Sequence, residues 1–229
     1  LPSKAENKPG IKIIKNGPYF VTGSVPLKKV KIVAKGNHHE YKTVWEYPLK
    51  QEYALCRCGQ SGNPPYCDGS HLHNGFTGNE TASRLPYAKR ASILHGPDLD
   101  LMDDGRCAYA RFCHREEGSV WELTRNSDDP EARAQAIIAA CDCPTGRLVA
   151  LDREGNPIEL AFEPSIEILE DPEEGVSGPL FVKGNIALES ADGTIYEIRN
   201  RMALCRCSKS DNKPFCDATH ISIQFSEEE

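Results

Sequence analysis

The pentapeptide Ala54-Leu55-Cys56-Arg57-Cys58 recurs as Ala203-Leu204-Cys205-Arg206-Cys207. The match continues through Ser61 and Ser210, Pro65 and Pro214, Cys67 and Cys216, Asp68 and Asp217, His71 and His220. A second echo lies upstream: Gly17-Pro18, Phe20-Val21, Gly23 and Leu27 reappear as Gly178-Pro179, Phe181-Val182, Gly184 and Leu188. Internal self-similarity of this kind predicts two related units with something different between them. The first copy holds roughly a dozen extra residues between its two blocks, expected as a longer loop around Lys35-Gly36-Asn37.

The chain has ten cysteines, grouped at 56, 58 and 67, at 107, 113, 141 and 143, and at 205, 207 and 216. Disulfides fit poorly, because C-x-C crowds two thiols too closely to bridge and two of the groups are odd-numbered. Reduced cysteines kept for metal are the better account, and they imply a reducing, cytoplasmic setting. Alternate residues of an extended segment face one side, so Cys56 and Cys58 present both sulfurs to one site while Arg57 points away. Cys67 returns after Gly62 and Pro64-Pro65, and Asp68 as an N-cap would put His71 in a first helical turn. Cys205, Cys207, Cys216 and His220 repeat that set. Spacing alone leaves zinc open, although zinc knuckles separate their cysteines by two to four residues rather than one.

Strands are expected at Tyr19 to Val25, Lys29 to Val33, Tyr41 to Tyr47, Phe181 to Leu188 and Thr194 to Arg199, with a hairpin turn at Ala191-Asp192-Gly193. Between the repeats, Asp129-Pro130 reads as N-cap and first residue of a helix over Glu131 to Ala140. Leu148 to Leu151 and Ile158 to Ala161 read as a hairpin about Glu154-Gly155-Asn156. The last four residues read as an acidic tail. The chain does not begin with Met and shows no signal-peptide core, which reads as a processed or trimmed start.

The repeated loops resemble the CDGSH iron–sulfur (NEET) family, whose pattern is C-x-C-x2-[ST]-x3-P-x-C-D-G-[SAT]-H. Cys56, Cys58, Ser61, Pro65, Cys67, Asp68, Gly69, Ser70 and His71 fit throughout. The second loop departs at Ala218, where the family has Gly; a left-handed backbone there would be strained by the Ala. The resemblance implies one [2Fe–2S] cluster per loop, held by Cys56, Cys58, Cys67 and His71 and by Cys205, Cys207, Cys216 and His220. It further implies that the two units pair within the chain as other members pair between chains. In the middle, Cys107 and Cys113 are C-x5-C with Ala110 at the midpoint, and Cys143-Pro144 supplies a remote C-P. This stretch resembles divergent single-cluster ferredoxin segments. The resemblance implies a [3Fe–4S] cluster on Cys107, Cys113 and Cys143, or a [4Fe–4S] cluster with a fourth ligand. Cys141 is either that ligand or a buried helix cysteine.

The expected architecture is a β-rich α+β chain: a CDGSH unit over 1–80, a ferredoxin-like single-cluster domain over 81–163 and a second CDGSH unit over 164–229, the two CDGSH units forming an intramolecular pseudo-dimer. The expected function is electron transfer, with cluster transfer or redox and pH sensing as one alternative and a zinc-stabilised binding scaffold as another. No P-loop, dinucleotide fingerprint or G-x-S-x-G is present, so no enzyme is expected. With 27 Lys and Arg against 34 Asp and Glu, the net charge of −7 disfavours a nucleic-acid partner. No apolar run is long enough for a membrane helix. Expected partners are a redox protein or an apo-acceptor of clusters, with a monomer favoured. His38, His39, His73, His95 and His114 read as surface or packing residues, with His73 placed to tune His71 and His114 the strongest exception.

Overall fold

The computed structural model describes residues 8–227. Residues 1–7 and the last two glutamates lie outside it, and with them the expectations about the chain start and the end of the acidic tail. The chain runs β1 (Gly10–Ile13), β2 (Tyr19–Thr22), β3 (Leu27–Lys35), β4 (His38–Glu46) and β5 (Glu52–Leu55) into the first cysteine loop. It continues through α1 (Tyr87–Arg90), β6 (Ser92–His95), β7 (Asp100–Asp103), β8 (His114–Arg115), β9 (Gly118–Ser119), α2 (Val120–Arg125), α3 (Pro130–Asp142), β10 (Leu148–Leu151) and β11 (Pro157–Ile158). It ends with β12 (Ser165–Asp171), β13 (Val176–Lys183), β14 (Ala187–Glu189), β15 (Arg201–Leu204) and α4 (Thr219–Ser222).

The two halves exchange strands. One sheet has the order β14-β1-β2-β5 and another the order β15-β13-β12-β3-β4. In the first, β14 lies parallel to β1, with Leu188 opposite Ile11. In the second, β3 lies parallel to β12, with Leu27 opposite Ile166. Leu27 and Leu188 are the matching residues of the upstream repeat, so the exchange is reciprocal. Period-two alternation turns Ile11, Ile13, Tyr19, Val21 and Leu55 of one sheet and Ile166, Ile168, Leu180 and Leu204 of the other into one core. Burying each such side chain stabilises the fold by about 1.5–3 kcal/mol.

The strands expected at Lys29 to Val33 and Tyr41 to Tyr47 both form and extend to a tight turn, so the extra residues of the first copy lengthen a hairpin rather than make a long loop. β3 and β4 pair antiparallel from Lys28–Glu46 to Lys35–His38 about Gly36-Asn37. The charged side chains of β4 keep this sheet edge in water. Thr194 to Arg199 is not a strand: only Ile195 bridges Glu189, while Ile195 and Ile198 stand 54% exposed. The pairing strand follows at β15, whose four residues are all buried. The strand expected at Phe181 to Leu188 starts earlier, at Val176, and stops at Lys183, where Gly184 and Asn185 turn at positive φ.

In the middle stretch, β6, β7, β10 and β11 form a separate sheet covered by α2 and α3. The hairpin about Glu154-Gly155-Asn156 forms, shortened to Pro157–Ile158 on its second strand. Asp129 caps α3 through Glu131 N–H at 2.7 Å, with Pro130 in the first turn. α2 was not foreseen. Its signal is the capping box of Ser119 and Glu122. No helix among the described residues is long and apolar enough to cross a membrane.

Candidate metal centres

Both repeated loops are built by the same bonds. β5 runs into Cys56, whose N–H donates to Pro65 O at 2.8 Å, while Cys67 N–H returns to Ala54 O at 2.9 Å. Cys205 to Pro214 and Cys216 to Ala203 repeat these contacts at 2.8 and 2.9 Å. Ser61 Oγ donates to Tyr66 O at 2.6 Å, and Ser210 Oγ to Phe215 O at 2.7 Å. The aspartates tie each loop's ends. Asp68 accepts from Gly62 N and Ser70 N, and Asp217 from Asp211 N and Thr219 N, at 2.7–3.0 Å. The hydrogen bonds from Ser70 and Gly62 hold the Asp68 carboxyl well below its usual range.

The first loop then makes only a 3-10 turn over Ser70–Leu72, capped at Gly69 with φ +93°. The expected N-terminal α-turn at Asp68 is thus one short turn, too small for a helix dipole to matter. Ala218 takes the matching position at φ +71°. Left-handed backbone costs a non-glycine residue about 1–2 kcal/mol. Ala218→Gly is therefore expected to raise stability by about 1 kcal/mol, read as a higher urea midpoint with an unchanged slope.

The donors come together in pairs. Cys56 and Cys58 sulfurs stand 3.7 Å apart, and Cys67 Sγ stands 3.3 Å from His71 Nδ1. In the second loop the distances are 3.6 Å for Cys205 and Cys207 and 3.4 Å for Cys216 and His220. Among the described residues, no three such donors converge tightly enough to grip a single ion. Burial, then the Cys58 thiol, push Cys56 up to about 11. The hydrogen bond to Cys205 brings Cys207 down to about 7 while Cys205 moves up. Two adjoining buried thiols resist carrying two negative charges, and holding both as thiolates would need a cation between them.

The loops differ in surroundings. Cys67 and His71 are half-buried, whereas Cys216 and His220 are 3% and 4% exposed. Burial brings His220 down to about 4. Phe225 closes over the second loop, packing on Cys205 and Cys207 and donating its N–H to His220 O at 3.0 Å.

The arginines of the two C-x-C pairs point away from the donors, as alternation requires. Arg57 donates to the carbonyls of Gly17, Gly78 and Ile14 at 2.8–3.1 Å. Arg206 bonds Gly178 O and Leu169 O but also pairs with Glu170 at 2.8 Å and with Glu227. Nothing in the spacing of C-R-C distinguishes these two environments.

In the middle, Cys113 and Cys143 pack in one apolar cluster. Burial first, then the Cys143 and Cys107 thiols, push Cys113 up to about 11, so the three sulfurs share one neighbourhood. Tyr109 N–H donates to Cys107 Sγ at 3.3 Å, and Thr145 Oγ1 lies 3.2 Å from Cys143 Sγ. Tyr109 and Arg111 both hold positive φ, a strained turn that brings Cys107 and Cys113 around buried Ala110. Cys141 is not brought to this group. Its thiol donates to Ile158 O at 3.6 Å, and its charged neighbours are Arg201, Glu159 and Asp142. On an α-helix, a residue two positions from the helix-ending Cys143 faces elsewhere.

His38, His39 and His95 make carboxylate contacts with Glu116, Glu173 and Asp100. His73 and His114 are exposed.

Comparison with known families agrees with this division. The iron-binding zinc finger CDGSH type matches twice, over residues 16–72 and 177–221. The divergent 4Fe-4S mono-cluster family matches residues 94–153 between them. The chain is a tandem CDGSH iron–sulfur protein with a divergent ferredoxin-like segment between its two CDGSH regions. No curated protein and no solved structure matches it closely.

Proposed function

We propose that the chain is a one-electron carrier whose two CDGSH loops each hold a [2Fe–2S] cluster and whose middle segment holds a [3Fe–4S] or [4Fe–4S] cluster. The paired donors carry this reading. Two ligands about 2.3 Å from one tetrahedral ion stand about 3.7 Å apart, which is the spacing of Cys56 and Cys58. Cys67 with His71 makes a second such pair, and the second loop repeats both. Two pairs per loop suit two irons. Cys56, Cys58, Cys67 and His71 would hold one cluster, and Cys205, Cys207, Cys216 and His220 the other. Cys107, Cys113 and Cys143 would hold the middle one, with Cys141 left as a helix cysteine. These clusters supply reversible one-electron storage. The chain itself orients the donors, buries Cys216 and His220 of the second loop and keeps Nδ1 of each histidine turned to its cysteine.

The reciprocal pairing of β1 with β14 and of β3 with β12 supports reading 1–80 and 164–229 as an intramolecular pseudo-dimer, with 81–163 inserted. All ten cysteines are free thiols, which suits a reducing, cytoplasmic compartment and a protein redox partner. The half-exposed Cys67 and His71 favour cluster transfer as the second reading.

Iron, zinc and acid-labile sulfide per chain test this on anaerobically purified protein. About 7–8 iron atoms with matching sulfide are expected. Cys141→Ala leaves that content unchanged, while Cys143→Ala lowers it to about four. Stoichiometric zinc without sulfide overturns the redox reading in favour of a zinc scaffold. Rapid delivery of [2Fe–2S] to an apo-ferredoxin makes cluster transfer the answer.

A further inference from the structure

The two CDGSH loops share their internal bonds and differ in what surrounds them. Arg57 is 2% exposed, and its guanidinium meets only carbonyls and the faces of Tyr19 and Phe76. It has no carboxylate partner among the described residues, so the first loop sits beside an uncompensated buried positive charge. Arg206, equally buried, faces Glu170 and Glu227, and one of these suffices to cancel its charge. Reduction adds a negative charge to a cluster. A nearby bare cation favours that charge, and water access favours it further. Both factors act in one direction, because Cys67 and His71 are half-buried while Cys216 and His220 are buried.

Among the described residues, the middle segment packs on the second loop. Ala108, next to Cys107, packs on Ala203 and Cys216. Cys107 and Asp217 line one cleft, and the Arg106 guanidinium lies 4.6 Å from the centre of the Phe215 ring. The two loops also meet each other. A Cβ at Gly59 would come 3.1 Å from Arg206 O and 3.2 Å from Cys207 O, so only glycine fits this approach at φ +70°. Cys58 and Cys207 open onto the same cleft of about 620 Å³. Tyr19 of the first half donates its hydroxyl to Cys205 O at 2.8 Å.

We propose that these surroundings order the two loops as an inner and an outer electron station. An electron entering at Cys107 reaches the Cys205 loop first and settles at the Cys56 loop, whose half-exposed Cys67–His71 edge delivers it to an acceptor. This rests on the electron-carrier reading above. Each step moves one electron and makes or breaks no bond. The electron comes from a low-potential one-electron donor protein and leaves to a one-electron acceptor protein.

The test is a reductive titration of the fully loaded chain with dithionite standing in for the donor, followed by electron paramagnetic resonance. Iron and sulfide are measured on the same sample. Two [2Fe–2S] signals are expected, differing at least tenfold in electron affinity, which is about 59 mV for one electron. Glu170→Gln with Glu227→Gln should raise the potential of the lower signal alone, marking it as the Cys205 loop. Arg57→Gln should lower the higher one. Because Arg57 is buried and its variant could fold poorly, the glutamate pair and the unmodified chain carry the decision. Reduction of the lower-potential loop should also speed the spin relaxation of the middle centre more than reduction of the other loop does. Equal potentials, or glutamate variants that move the higher signal, overturn the ordering. A sample without iron and sulfide sinks the carrier reading itself, whereas a full complement of iron with the wrong order sinks only this inference.

Discussion

Replacing Arg201 with methionine is expected to destabilise the chain by about 3–5 kcal/mol and to empty the middle site. At about 2–4 °C per kcal/mol for a chain of this size, that is a melting temperature roughly 10 °C lower. The Arg201 side chain is 0% exposed. Its guanidinium donates to Ala140 O, Cys141 O and Cys143 O, and to Leu148 O at 3.0 Å. It also bonds both oxygens of Glu159, at 3.0 and 2.7 Å. Three of those carbonyls belong to the last turn of α3 and its cap, where the backbone supplies only the long bonds from Cys143 N–H to Ala140 O at 3.3 Å and from Gly146 N–H to Cys143 O at 3.2 Å. The cation also offsets the negative end of the helix. Methionine has similar bulk and no donors, so it strips the charge-assisted bonds from these carbonyls and leaves the Glu159 carboxylate without its cation, with only Asn200 Nδ2 still donating to it at 3.0 Å. Since β15 carries Arg201 directly towards Cys205, the same side chain fixes the Cys143 turn against the second loop. Adding Glu159→Leu should recover part of the stability by removing the unpaired carboxylate, without restoring iron at the middle site. A single variant within 2 °C of the parent would falsify this account.

The sequence carried the donor sets because a metal loop is local: C-x-C, the proline and D-x-x-H fix one another within a few residues. The repeat offset also exposed Leu27 and Leu188 as equivalents. It did not reveal that each pairs in the other half's sheet, because strand exchange depends on which edge lies open in space. The sequence marks β4 only from Tyr41 onward, and its start at His38 reads as part of a longer loop because the turn at Gly36-Asn37 is visible while the residues after it are polar and solvated. Thr194 to Arg199 looked like a strand because β-branched residues alternate there, but nothing covers Ile195 or Ile198. Cys141 and Cys143 are near neighbours in sequence and diverge in space because a helix separates such neighbours and an extended segment aligns them. Arg57, Arg201 and Arg206 carry no sequence signal that sets them apart from other arginines. Their roles come from burial against carbonyls and carboxylates contributed from far along the chain, and single-sequence spacing carries no record of that.

Acidification from pH 7 to pH 5 is expected to strip the two CDGSH loops in separate phases, the Cys56 loop at least tenfold faster. A proton and an iron compete for the same imidazole nitrogen. At His220, burial comes first in holding the imidazole to about 4, with the Arg206 cation adding to it. Against the ordinary value of 6.5, that difference amounts to about 3 kcal/mol disfavouring the imidazolium. The sign follows directly. The unfolded chain takes up this proton near pH 6.5, and the closed loop takes it up only near pH 4. Stability from the neutral ring is therefore full above 6.5 and drains away as pH falls towards 4. At pH 5 the ring inside the closed loop is still mostly neutral and still able to bind iron. His71 has no such shelter, since water reaches both it and Cys67. The decay of visible absorbance after a pH jump measures both phases. Phe225→Ala supplies the control, because it opens the cover over Cys205 and Cys207 and replaces none of the four donor residues. It should accelerate the slow phase and leave the fast one unchanged. If it accelerates both equally, the two loops are losing their clusters through global unfolding, and local shelter at His220 is not what separates them.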